Sequence, residues 1–171
     1  MTARILPALV LLSCAHRDAW WTHDADQRAI RVAAYRQFLV RPDSEPLTVN
    51  CLGIQSESKG PASGPVADES PDTLAVFRSG PELVAPHSAC MSADPSRLPM
   101  QYHGEVLGSA KLLTIEFVEV ADSVTAVVGL GTAWCTLPRG RTLCEGRGYQ
   151  LRLVRRGTEW VVQSTKPTWW A

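Results

Sequence analysis

The cysteines carry the first chemical signal in the chain. Cys51, Cys90, Cys135 and Cys144 lie in its body, and a fifth, Cys14, stands near its start. Four thiols at long spacing can form two disulfides in an oxidising compartment or, together, hold a metal ion. Structural zinc sites draw on close pairs of the C-x-x-C kind. No such pair occurs here, so the four are read as disulfide cysteines and neither a metal nor another cofactor is expected. Three pairings are open to them. Cys135 and Cys144 flank "TLPRGRTL", a Pro- and Gly-containing link between strand-like segments. That context favours a bond across a hairpin and leaves Cys51 to Cys90, closing a long loop.

Cys14 has a different setting. Ile5 to Leu12 is an apolar run of signal-peptide length, behind Arg4 and ahead of the small Ser13. It falls well short of the roughly 20 apolar residues that span a bilayer. Leu11-Leu12-Ser13-Cys14 resembles the bacterial lipobox, in which a small residue precedes a cysteine that is lipidated and becomes the new first residue. The resemblance implies a signal peptide over 1–13, a lipid on Cys14, a tether over 14–23 and a single domain over 24–171. Each buried acyl CH₂ contributes about 0.8 kcal/mol, and more than one chain makes anchoring stable. In the sorting pattern of such lipoproteins an Asp after the cysteine favours the inner membrane. Ala15 stands there, so the implied location is the cell envelope with the outer membrane as default.

Candidates for acid–base chemistry are sparse. His87, Tyr102 and His103 fall in irregular, Pro-punctuated stretches, and loops carry function disproportionately. They are candidate polar groups at a pocket mouth, although a solvated or hydrogen-bonded loop histidine is the commoner case. Glu116 and Glu119 are expected on opposite faces of one strand, which brings one of them to the concave side of a curved sheet. Glu116 is the candidate; simple surface exposure explains both equally well. His16 and His23 with Asp24 and Asp26 lie on the tether and at a helix start, where acids serve capping better than metal binding. Ser88, Ser92 and Ser96 lack the G-x-S-x-G setting of a hydrolase nucleophile. The formal net charge is zero, with 17 basic and 17 acidic residues, which gives no electrostatic footprint for nucleic acid.

The elements that must position these groups are legible from periodicity. "ADQRAIRVAAYRQFLV" from Ala25 repeats apolar residues at helical spacing, with Ile30, Ala34 and Phe38 widened by Val32, Tyr35 and Leu39. Asp24 caps its start and Pro42 ends it, with Arg28, Arg31 and Arg36 on the solvated side. "PLTVNCLGIQS" is apolar on both faces and predicts an interior strand. Residues 57–72 predict a surface loop, "PDTLAVFRS" a short helix starting at Pro71 or Asp72, and 80–100 an irregular segment that needs a disulfide staple. From Lys111 onward the pattern changes to four strands with short turns, an antiparallel meander half covered by the amino-terminal helix. Gly129 and Gly131 are expected to permit a strong bend. Trp134, Trp160, Trp169 and Trp170 are assigned to core and terminal packing, with any exposed member marking an interaction patch.

This order of elements resembles the nuclear transport factor 2-like (cystatin-like α+β roll) superfamily, and within it a group of uncharacterised bacterial envelope proteins. The residues carrying the closer resemblance are "CLGI" at 51–54, "PDTLAVFRSGPELVAPHSAC" at 71–90, "WCTLPRGRTLCEGRGYQLRLVRRGTEWVV" at 134–162 and the terminal "TWW". It implies an α+β fold: an amino-terminal helix on a curved, mostly antiparallel sheet that ends in the four-strand meander, with a pocket between them. Some relatives use that pocket for isomerase, dehydratase or small-ligand chemistry, but fold does not carry function over. The sequence therefore predicts a non-enzymatic envelope module that meets the membrane through its lipid and binds an envelope protein or small ligand. The alternative is an isomerase, dehydratase or hydrolase using a polar group in the pocket.

Overall fold

In a computed structural model, residues 24–41, 48–55, 65–91, 109–136 and 143–170 are described. They form an α+β structure around a seven-stranded, mostly antiparallel open sheet. The elements run α1 (Asp24–Arg36), β1 (Thr48–Gln55), β2 (Val66–Asp68), α2 (Pro71–Arg78), β3 (Val84–Pro86), α3 (His87–Met91), β4 (Ser109–Asp122), β5 (Thr125–Thr136), β6 (Leu143–Arg156) and β7 (Glu159–Trp170). Strand order is β2-β1-β4-β5-β6-β7, and β3 also pairs with β1. The meander from β4 to β7 is antiparallel throughout, whereas β1 runs parallel to both β4 and β3.

Alternation sorts the side chains into two cores. On the inner face Leu52, Leu113, Ile115, Ala126, Val128, Leu130, Leu151 and Leu153 meet Ile30, Ala34 and Tyr35 of α1 and Leu74 and Phe77 of α2. The outer face of β1 carries a second, smaller core, in which Val49 and Cys51 pack with Ala85, Ala89 and Ala110 beneath α3. Burial of β1 on both faces fits its apolar composition, as sequence predicted for an interior strand. The Cys51–Cys90 disulfide fastens α3 over this smaller core. The Cys135–Cys144 disulfide joins register partners of β5 and β6.

Several expectations need correction. Helix α1 stops at Arg36, and the amides of Phe38 and Leu39 turn back onto the Tyr35 carbonyl before Pro42 is reached. The stretch expected as a loop over 57–72 contains β2, and the irregular segment contains β3 and α3. Helix α2, by contrast, begins at Pro71 as expected, with Ser70 as its cap: the Ser70 hydroxyl accepts the Thr73 amide at 3.3 Å. Arg31 is not solvated; its guanidinium side chain is 16% exposed and pairs with Glu69. A β-bulge between Ile115 and Phe117 puts Glu116, Phe117 and Glu119 all on the outer face, because Ile115 and Val118 both stay with the inner core. Gly129 and Gly131, expected to permit a bend, also leave room for side chains, Phe117 over the first and Glu116 with Trp169 over the second.

Candidate functional site

Four polar groupings stand out among the described residues, and three of them are closed by their own contacts. The first is buried beneath α1. Arg31 and Tyr35 stand one helical turn apart and so share a face. Arg31 Nε lies 3.2 Å from Glu69 Oε2, and the Tyr35 hydroxyl lies 3.0 Å from the same oxygen and 2.8 Å from the Gly53 carbonyl. Glu69 Oε1 accepts the Ser70 amide at 2.8 Å, just ahead of the α2 cap. Burial, reinforced by the Glu69 charge, pushes the Tyr35 phenol well above its ordinary range. The cluster ties α1 to β1 and α2, and the Glu69 side chain has no exposed surface through which a substrate could reach it.

The second grouping surrounds His87. Asp68 Oδ1 accepts the Ser88 amide at 2.6 Å and Oδ2 accepts the Ser88 hydroxyl at 2.7 Å. Burial lowers the His87 pKa, with the Asp68 carboxylate acting in the opposite direction. Serine, histidine and aspartate thus lie together, but the aspartate holds the serine directly. A nucleophilic triad needs the histidine to take the serine's proton and the acid to orient the histidine; here the acid caps α3.

The third lies on the outer face. The Trp169 indole crosses Gly148, Gly146 and Gly131, and its Nε1 donates to Glu116 Oε1 at 3.1 Å. Burial raises the Glu116 pKa, and the Trp169 hydrogen bond opposes that rise. Glu116 therefore sits on the face away from α1, in contact with an indole.

The fourth grouping stays open. Asn50, Lys111 and Trp134 are register neighbours across β1, β4 and β5, on the inner face. The Asn50 side-chain amide imitates a strand partner: Oδ1 accepts the Val40 amide at 2.9 Å and Nδ2 donates to the Val40 carbonyl at 3.0 Å. Lys111 Nζ donates to the Phe38 carbonyl, so both residues hold the chain where it leaves α1. Phe38 in turn packs on Tyr149, with ring centroids 4.8 Å apart. The Lys111 ammonium lies 5.8 Å from the Phe38 ring centroid and 5.1 Å from that of Trp134. Burial lowers its pKa. On the next row of the same face Arg147 lies 4.4 Å over the ring of Trp170. Trp134 and Trp170 are 46% and 69% exposed, whereas Trp160 is buried in the core.

A separate groove of about 360 Å³ lies at the ends of α1 and α2, lined by Arg36, Leu39, Val76, Phe77 and Glu82 among others. It holds an arginine and a carboxylate beside Leu39, Val76 and Phe77.

Of the sequence candidates, the four cysteines form the two bonds just described, and His87 and Glu116 lie on the outer side of the sheet in separate settings. Cys14, Tyr102 and His103 fall outside the described residues. Lys111, Arg147 and the Tyr35–Glu69–Arg31 cluster are not among the residues that sequence singles out. The one available signal for the last was the four-residue spacing of Arg31 and Tyr35 on an otherwise apolar helix. No family model, curated protein or solved structure matches the chain.

Proposed function

We propose that the protein is a non-enzymatic binding or interaction module of the cell envelope. It is held at the outer membrane by a lipid on Cys14, and its sheet curls around α1 as a cystatin-like roll of the nuclear transport factor 2-like kind. The observation that carries this reading is the pair of disulfides, Cys51–Cys90 and Cys135–Cys144. Such bonds persist in oxidising compartments and are rare where glutathione keeps thiols reduced. Their pairing leaves Cys14 as the odd thiol of five, placed after an apolar run and free for lipid. Support for the roll comes from α1, which touches each strand of the meander, and from bulges in β4 and at the β6–β7 pairing, which bend strands.

Support for binding over catalysis comes from how the acids are used. A general acid or base must reach the proton it transfers. Glu69 is enclosed, Asp68 spends both oxygens on Ser88, and Glu116 receives an indole N–H. The surface left open combines cations with aromatic rings. That composition, apolar walls with a few placed polar groups, is the one ligand sites use.

The test is the intact mass of the protein extracted from its native membrane, before and after reduction and thiol alkylation. The expected species lacks residues 1–13, carries acyl chains and gains four alkylated thiols only after reduction. An unacylated full-length chain with free thiols would end the envelope reading.

A further inference from the structure

The inner face of the sheet has two ends that differ in chemistry. At one, Asp26 near the start of α1 pairs with Arg155 beside the β6–β7 turn at 3.5 Å. At the other, beyond Phe38, lie Lys111, Trp134, Arg147 and Trp170. Lys111 donates to the Phe38 carbonyl, which uses one of the three donors an ammonium carries. No carboxylate among the described residues pairs with it. A half-buried ammonium that pairs with no described carboxylate is costly, and its lowered pKa follows from that burial. An anion arriving at Lys111 would offset the cost. Beside it Trp134 turns nearly half of its surface to solvent, a flat apolar face next to the charge.

We propose that this corner binds a small ligand carrying an anionic group on a planar apolar body, with the anion on Lys111 Nζ and the plane against Trp134. The proposal rests on the binding-module reading and names the ligand class for it. Ideal strand spacing puts the Cα atoms of Lys111 and Arg147 roughly 12 Å apart, so the Arg147 guanidinium, stacked on Trp170, borders the same molecule. A charge-assisted hydrogen bond fixes one end of the ligand, and an indole face accepts the rest. The start of α1, marked by the Asp26–Arg155 pair, lies at the opposite end of the inner face from this corner. Glu145, the register partner of Trp134, adds a negative charge at the rim and makes a cationic aromatic compound the informative competitor.

The experiment is equilibrium binding to the full folded chain of anilinonaphthalene sulfonate, an aryl anion, and of phenylnaphthylamine, the same rings without the sulfonate. Lys111→Met is expected to weaken the sulfonate by about tenfold or more, the scale of a lost charge-assisted contact, and to leave the neutral dye nearly unchanged. Lys111→Arg should retain most of the sulfonate affinity. Because Lys111 also holds the Phe38 carbonyl, thermal melting accompanies each variant. Trp134→Leu, at an exposed position, carries the test if Lys111→Met does not fold, with a several-fold loss of both dyes expected.

Four outcomes overturn the proposal. They are equal sulfonate affinity in Lys111→Met, absence of saturable sulfonate binding, tighter binding of a cationic aromatic dye, and binding confined to vesicles of anionic lipid. Saturable binding that ignores Lys111 moves the ligand elsewhere and leaves the binding-module reading standing. The mass measurement decides the envelope reading whatever the dyes do.

Discussion

Trp169 Nε1 donates to Glu116 Oε1 across 3.1 Å, although the two residues are 53 positions apart and two whole strands lie between β7 and β4. The bond exists because the sheet leaves a path for the ring. A Cβ on Gly146 would meet the indole at 3.2 Å, one on Gly131 would meet Glu116 at 3.1 Å, and one on Gly148 would overlap the indole nitrogen. The glycines of "GLG" at 129–131 and "EGRG" at 145–148 are thus a floor for side chains on the outer face.

Glu116→Gln is expected to raise thermal stability at neutral pH or leave it unchanged. Burial lifts the folded-state pKa of Glu116 above its unfolded value, so the folded state binds more protons between the two. The contribution of the group to stability therefore falls as pH rises from about 4.3, the ordinary glutamate value, through the folded pKa. Glutamine keeps an oxygen for the indole and removes the charge. Melting temperature measured against pH should be flatter for the variant over that window. A clear loss at neutral pH would mean that the carboxylate charge itself holds Trp169.

Gly148→Ala should cost about 1–3 kcal/mol, because the added methyl must displace the Trp169 ring from an already packed position. Chemical denaturation of a double-mutant cycle with Trp169→Ala isolates the cause. With the indole gone, the alanine should cost only a few tenths of a kcal/mol. A penalty that persists without Trp169 would locate the strain in the backbone. Gly157→Ala serves as contrast: nothing lies near its missing Cβ, and its φ of 63° makes the expected cost of about 1 kcal/mol a matter of backbone conformation alone.

Tyr35→Phe removes a hydroxyl that reaches Gly53 O and Glu69 Oε2, leaving a buried carboxylate with fewer partners. The expected loss is about 1–3 kcal/mol. Arg31→Met should cost more, about 3–5 kcal/mol, because it strands the Glu69 charge in the core. Urea unfolding with an unchanged slope checks both values. If Arg31→Met proved the milder change, Arg31 would not be the counter-ion that keeps Glu69 buried.

What could be read from the sequence was local. The meander from Lys111 was legible because alternation and turn residues repeat within each hairpin, and the Cys135–Cys144 pairing followed from that hairpin. Strands β2 and β3 were not legible, being three residues each and defined by pairing with β1. Alternation also has no means to register an inserted residue, so the bulge that carries Glu116 to the same face as Glu119 was invisible. Periodicity put Arg31 on the solvated side because its partner, Glu69, lies 38 residues away. Lys111 passed as an ordinary strand residue for the same reason: Phe38, whose carbonyl it holds, is 73 residues distant.

The two disulfides should differ in both energetic weight and ease of reduction. Cys51–Cys90 closes 39 residues and Cys135–Cys144 closes 9. On the loop-entropy account these restrict the unfolded chain by about 4 and about 2.5 kcal/mol respectively. Replacing Cys51 and Cys90 together by serine should therefore destabilise more than the same change at Cys135 and Cys144, and should also loosen α3, which that bond holds over the outer core. Accessibility points the same way. Each bond has one buried partner, Cys51 and Cys135, but Cys90 is only partly exposed, whereas Cys144 is exposed at the start of β6. Thiolate attack requires access to a sulfur. A limiting reductant, followed by alkylation and peptide mass analysis over time, should label Cys135 and Cys144 first. Earlier labelling of Cys51 and Cys90 would show that α3 opens locally and exposes the bond it covers, which would make the outer core the first part of the domain to yield.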